Sequence, residues 1–229
     1  MKSIVIDTGP VISLTMNNLL WLLEPLKKRF NGNFYITKTA RQELVEKPLN
    51  TKRFEFEALQ TLQYFENNTI TIVDNKEIDD IASALLGLAN NAFSAKGRSL
   101  TIVHQADIEG VAAARYLHAD AFVIDERTTR MMVEQPEALQ DILEKKLRTT
   151  IQVDHQKLHD FAKETKDIRI IRSAELVFAA YKLGLLDKYL PTMPHAKKRL
   201  LDAVLWGVKL DGCAISKKEI LTVLRSEKP

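Results

Sequence analysis

The chain has 229 residues, 45% of them hydrophobic and 28% charged, with only 8 Gly and 7 Pro, which excludes fibrous, low-complexity and disordered classes and suffices for a buried core without staples. Its single cysteine, Cys213, excludes an internal disulfide and suggests a structural thiol in an intracellular protein, and no apolar run reaches the roughly eighteen residues of a membrane span. The net charge of +3 suits a polyanionic partner without requiring one.

The apolar run Ser3-Ile4-Val5-Ile6 starts almost at once, so a signal peptide is not expected and a cytoplasmic location is. That run reads as a buried strand delivering Asp7 at its carboxyl end, with Gly9-Pro10 as the turn into the apolar-periodic stretch from Val11. A helix over 18–29, a strand over 34–36 and a helix over 39–46 follow. Next come a helix over 54–65, a β-branched strand over 69–73 closed by Asp74, and helices over 76–90 and 107–117 with Gly97 at the turn between them. Residues 121–124 form a fourth buried strand ending at Asp125. Such alternation implies an α/β fold with a parallel sheet whose strand ends share one edge. Beyond Asp125, residues 131–166 are helical and highly charged, interrupted by a β-branched run at 149–153 that is an edge strand or no strand. Residues 168–171 make a better fifth strand, followed by a helix over 174–183 stopped at Gly184. Two helices over 196–210 and 217–224 close the chain, the second opened by a Ser216 and Glu219 capping box.

The acids sort by position. Asp7 and the Asp125-Glu126 pair each follow a buried strand, where open α/β folds assemble their sites. Asp107 and Glu109 open the helix that feeds the fourth strand, Glu43 lies one turn into the helix after the second strand, and Glu46 follows on nearly the same face. Two unit charges about 5 Å apart repel by roughly 3 kcal/mol at an effective dielectric near 20. A hard divalent cation relieves that repulsion, and oxygen-only ligation selects Mg²⁺ or Mn²⁺ over Zn²⁺. Each acid alone has an ordinary explanation as a turn residue or a helix-dipole partner; their joint order sets them apart. Competing motifs fail on context. Asp7-Thr8-Gly9 matches an aspartic-protease triplet, but that chemistry needs two such loops in an all-β setting. His155 and His159 lack the Glu of a zinc-protease motif and read as a solvated helix face. Gly9 stands where a dehalogenase-type phosphatase needs a second Asp.

Ile4-Val5-Ile6-Asp7-Thr8 with Ile12-Ser13-Leu14, then Thr39-Ala40-Arg41-Gln42-Glu43-Leu44, then residues 107–114, then Val123-Ile124-Asp125-Glu126-Arg127 with Arg130 resemble, in order, the four signature segments of PIN domains. Residues 170–186 and 212–216 are similar to a PIN subgroup of uncharacterised prokaryotic and archaeal proteins. The resemblance implies a three-layer α/β/α sandwich on a central, mainly parallel five-stranded sheet. It implies a single domain with its core over 1–130 and 167–190, a helical insertion over 131–166 and C-terminal helices over 195–226. Many PIN domains are metal-dependent ribonucleases, including toxins of toxin–antitoxin pairs and RNA-processing factors. The implied catalytic set is Asp7, Glu43, Asp107 and the Asp125-Glu126 pair, with Mg²⁺ or Mn²⁺ at Asp7, Asp107 and Asp125 or Glu126. Glu43 would position water or a second ion, Thr8 would bond a carboxylate or the scissile phosphate, and Arg127 and Arg130 would contact RNA phosphates. The sequence departs from the family in two places: Asp125-Glu126 stands where many members carry paired Asp, and the 131–166 stretch is longer, a candidate docking surface for an antitoxin, another protein or a second protomer. The alternative expectation is a PIN-like module that binds RNA or a protein without cutting.

Overall fold

The computed structural model describes residues 2–227. β1 (Ser3–Ile6) is buried along its whole length and ends at Asp7, whose carboxylate caps α1 (Thr8–Met16) by accepting from the Gly9 N–H at 3.3 Å. The helix thus begins at Thr8, and Gly9-Pro10 form its first turn rather than a turn leading into it. Pro10 fits there because first-turn N–H groups have no intrahelical partner. The helix expected over 18–29 is broken: Asn18 takes a positive φ of 55°, and a 3₁₀ turn over Leu20–Leu22 precedes α2 (Leu23–Phe30). Leu19, Leu20, Leu22 and Leu23 are all buried at this break.

β2 (Asn33–Thr37) ends at Thr37, which caps α3 (Lys38–Arg41). That helix continues through a π-helical turn, Gln42–Glu46, into α4 (Lys47–Leu49). α5 (Glu55–Glu66) leads to β3 (Ile70–Val73). α6 (Lys76–Asn90) is followed by a hairpin of β4 (Phe93–Ala95) and β5 (Arg98–Ser99). α7 (Gln105–Tyr116) feeds β6 (Ala121–Val123). Then come α8 (Arg127–Glu134), α9 (Ala138–Leu147), β7 (Gln152–Val153) and α10 (His155–Thr165). β8 (Ile170–Ile171), α11 (Ser173–Lys182), α12 (Ala196–Leu210) and α13 (Lys217–Ser226) complete the chain. Ser216 and Glu219 form the expected capping box.

The central sheet has five strands in the order β3-β2-β1-β6-β8, and every neighbouring pair is parallel. Strand side chains alternate between faces, so Ile4 and Ile6 join one core with residues of α1, α2, α11, α12 and α13. Val5, Phe122 and Ile124 join the other, with residues of α6, α7 and α10. The fold is therefore α/β, a three-layer sandwich around a parallel five-stranded sheet, with further helices in the C-terminal half. At the carboxyl edge, Asp7, Thr37, Asp125 and Arg172 lie within two residues of the strand that delivers them.

A second sheet, β5-β4-β7, is antiparallel. Gly97, at φ +73°, is the expected turn, but it joins two strands as well as two helices. The ambiguous run at 149–153 supplies β7, whose Val153 pairs with the fully buried Phe93. Among the described residues no helix is long and apolar enough to cross a membrane.

Candidate carboxylate site

Asp7 is only 9% exposed. Its N–H continues the ladder by donating to the Val123 carbonyl at 2.9 Å, so both the backbone and the capping carboxylate are fixed. Its carboxyl is pushed up to about 7, first by burial, then by the negative charge of Asp107 and, more weakly, of Glu43; the N–H groups of Thr8 and Gly9 pull the other way. Asp107, in the first turn of α7, is also raised, by burial first and then by Glu126 and Glu43, with His104 opposing. Asp107 thus links like charges from separate elements, Asp7, Glu43 and Glu126.

Glu43 reaches this group from the π-helical turn. A π turn inserts an extra residue into the helix and re-aims the side chains after it, a device found often at functional sites. Glu43 accepts the Thr8 hydroxyl proton at 3.2 Å and pairs with Lys47 at 3.3 Å. Glu46, expected on nearly the same face, is exposed and pairs with Arg41 instead. Glu109 is buried in α7.

The adjacent acids Asp125 and Glu126 separate completely. Asp125 is 2% exposed; one carboxylate oxygen accepts from the Ser13 hydroxyl at 3.0 Å and the other from the Ser173 N–H at 2.8 Å. The Cys213 thiol lies beside it, pushed up to about 12 by burial first and then by the Asp125 charge. The Ala214 N–H donates to the Asp125 carbonyl at 3.1 Å. A Cβ built on Gly9 would lie 3.6 Å from both the Asp125 Cβ and an Asp7 oxygen. From that shared point the two carboxylates diverge, Asp7 toward Asp107 and Glu43, Asp125 along α1 toward Ser13. Glu126 caps α8, accepting from the N–H groups of Thr128 at 2.8 Å and Thr129 at 2.5 Å, and it is the leading like charge on Asp107. Asp107 thus feels the charges of both Glu43 and Glu126, and Asp7 those of Asp107 and Glu43, while Asp125 is held in a hydrogen-bonded network of its own.

Arg127 is exposed at the first position of α8. Arg130 is engaged by Glu134 at 3.1 Å. The sequence suggests no role for Ser13 or Ser173, although Ser13 stands out as a polar residue among Val11, Ile12 and Leu14; Cys213, expected as a structural thiol, is buried beside Asp125. Asn17, which donates to Asp211 at 2.7 Å, ties the same end of α1 to the loop that carries Cys213.

The set contributes only oxygen donors and is strongly negative, with Lys47 and His104 as the cationic or titratable neighbours. Among the described residues no three His, Cys, Asp or Glu side chains converge in a metal-binding group. Compared with known proteins, the chain matches no family model, no curated protein and no solved structure.

Proposed function

We propose that the protein is a PIN-type, Mg²⁺- or Mn²⁺-dependent endoribonuclease acting in the cytoplasm. The observation that carries this reading is Asp7. A carboxylate buried at a strand end and pushed up to about 7 beside two further acids is unfavourable for the fold, and a hard divalent cation offsets that cost. The acids offer only oxygen donors, the type such an ion takes, and those whose charge acts on Asp7 are carried by α7 and the π turn, although among the described residues they do not converge into a ready-made metal group. When bound, the ion supplies an activated water and charge stabilisation at the scissile phosphate and the leaving 3′ oxygen.

The protein's own groups divide the remaining work. Asp7, fixed as a helix cap, and Asp107 would hold the ion, with Glu126 rather than Asp125 as the fourth acid. Glu43, already accepting the Thr8 hydroxyl, would orient the attacking water. Arg127 stands free to contact a phosphate, whereas Arg130 must first leave Glu134. Asp125 contributes by locking β6 to α1 and α11.

A second reading, a PIN-like module that binds RNA or a protein without cutting it, draws support from the engagement of Glu43 by Lys47 and of Glu126 by two backbone N–H groups. Incubation of labelled single-stranded and structured RNA with Mn²⁺ decides between them. The nuclease reading expects cleavage by the wild type that Asp7→Asn abolishes; absence of metal-dependent products from the wild type overturns it.

A further inference from the structure

Ile12 and Met16 of α1, Leu44 and Pro48 of the π turn and α4, and Phe54 and Ala58 at the start of α5 wall an apolar cavity of about 100 Å³. Thr15 and Thr61 also line it, but their hydroxyls donate to the Val11 carbonyl at 2.7 Å and the Glu57 carbonyl at 2.9 Å within their own helices, so they present methyl groups. The remaining lining residues are Glu43 of the π turn and Glu57 of α5. An apolar chamber thus carries two carboxylates, from two of its walls, and no cation.

The two acids differ in what already holds them. Among the described residues nothing pairs with the Glu57 carboxylate; Arg53, four residues earlier, lies over the Phe54 ring instead, 4.7 Å from its centroid. Glu43 accepts from the Thr8 hydroxyl at 3.2 Å and from Lys47 at 3.3 Å, but the Lys47 side chain is 67% exposed, and an exposed ion pair contributes little. A carboxylate on the wall of an apolar chamber is matched by a cation that carries its own apolar stem, because the stem leaves water while the charged head is paired. The volume sets the length of that stem. A cavity of about 150 Å³ holds benzene, or roughly 25 Å³ for each carbon, so this one takes about four carbons and no aromatic ring.

We propose that the cavity binds a short aliphatic amine, with a stem of about four carbons between the apolar walls and a primary ammonium on Glu57. A second ammonium at the far end meets Glu43 in place of Lys47, which makes a four-carbon diamine the best-matched ligand. The same two carboxylates repel phosphates and other anions. The inference needs only the walls and the two acids, and it stands apart from the nuclease reading.

The test is backbone amide NMR of the metal-free protein, titrated at pH 7 and constant ionic strength with ethyl-, propyl-, butyl- and hexylammonium chloride. Shifts should saturate at residues 12–16 and 54–61, with affinity rising about fourfold per methylene as far as butylammonium and no further at hexylammonium. 1,4-Diaminobutane should bind more tightly than butylammonium, and 1-butanol, the same stem without the charge, more weakly. Glu57→Gln should weaken butylammonium binding about tenfold or more, whereas Glu43→Gln should remove the advantage of the diamine. Ala58→Leu fills the chamber and should abolish saturation in a protein shown folded by circular dichroism; if it does not fold, the chain-length series and the half-buried Glu57→Gln site still decide. Absence of saturable shifts at these residues, affinity indifferent to chain length, equal binding of 1-butanol and butylammonium, or unchanged binding by Glu57→Gln overturns the proposal. Nα-acetyl-lysine methylamide carries the same stem and head on a peptide backbone; binding tighter than that of the diamine would make the chamber a seat for a protein lysine and overturn the free amine as its ligand.

Discussion

Asp7→Asn is expected to stabilise the metal-free protein at pH 8 and to leave it almost unchanged at pH 4. The Asp7 carboxyl titrates near 7 against 3.8 for an unhindered Asp, so the folded state holds this proton more tightly than the unfolded chain does. Stability from this group is therefore full below about pH 4 and is lost as pH rises from about 4 to about 7. Above that, the ionised carboxylate costs the fold about 4 kcal/mol, at about 1.4 kcal/mol per tenfold. Asn caps helices as well as Asp does and still accepts from the Gly9 N–H, so the substitution removes the charge and keeps the cap. We expect a gain of about 2–4 kcal/mol at pH 8 and less than about 0.5 kcal/mol at pH 4, against a total stability of roughly 5–15 kcal/mol. Urea unfolding in EDTA at pH 4, 6 and 8, followed by far-ultraviolet circular dichroism, reads this directly. A destabilised variant at pH 8, or the same change at both extremes, refutes the reasoning. Mn²⁺ provides the second arm: at a hundredfold over its Kd it should stabilise the wild type by about 2.7 kcal/mol and Asp7→Asn much less.

The adjacent acids should part company when neutralised. Asp125→Asn disturbs the bonds from Ser13 and Ser173 and should lower stability by about 1–3 kcal/mol, while Glu126→Gln should cost under about 1 kcal/mol and remove Mn²⁺-dependent cleavage; loss of Mn²⁺ binding in a fully stable Asp125→Asn would reverse the assignment. Gly110→Ala places a Cβ 2.5 Å from Cζ of the buried Phe122, so denaturant melts should show a loss of about 1–3 kcal/mol, and an unchanged midpoint would mean that α7 does not press on β6. Glu219 is held down near 2: burial opposes, but the Ser216 hydroxyl and N–H and the Arg172 guanidinium prevail. Its contribution is present above about pH 4.5 and lost as pH falls toward 2, so Glu219→Gln should flatten the acid limb of the stability profile in thermal melts.

What the sequence disclosed depended on whether the signal was local. β1 was legible because a strand buried on both faces is a continuous apolar run, and the Ser216 capping box because its two residues lie three apart. β4 and β5 were not, and β7 showed only as an ambiguous run, because two or three residues carry no alternation and the β4–β7 pairing joins segments nearly sixty residues apart. The expected turn at Gly9-Pro10 failed for a related reason: both residues are ordinary turn formers, and only the Asp7 cap shows that the helix has already begun. The choice between Asp125 and Glu126 likewise rested on contacts distant in sequence, from Ser13, 112 residues away, and from Ser173, 48 residues away.

A rule of position nevertheless explains that choice. Ile6 pairs with Val123 in the parallel ladder, so Asp7 is level with Ile124, and Asp125 falls one step later, where the pleat turns its side chain the other way. Asp7 is the N-cap of the helix after β1, and Glu126 is the N-cap of the helix after β6. The equivalent of Asp7 on the neighbouring strand is therefore the capping acid and not the first acid after the strand. A cap faces the sheet edge because its side chain must reach the free N–H groups of the next turn, and both capping acids, Asp7 and Glu126, interact with the charge of Asp107.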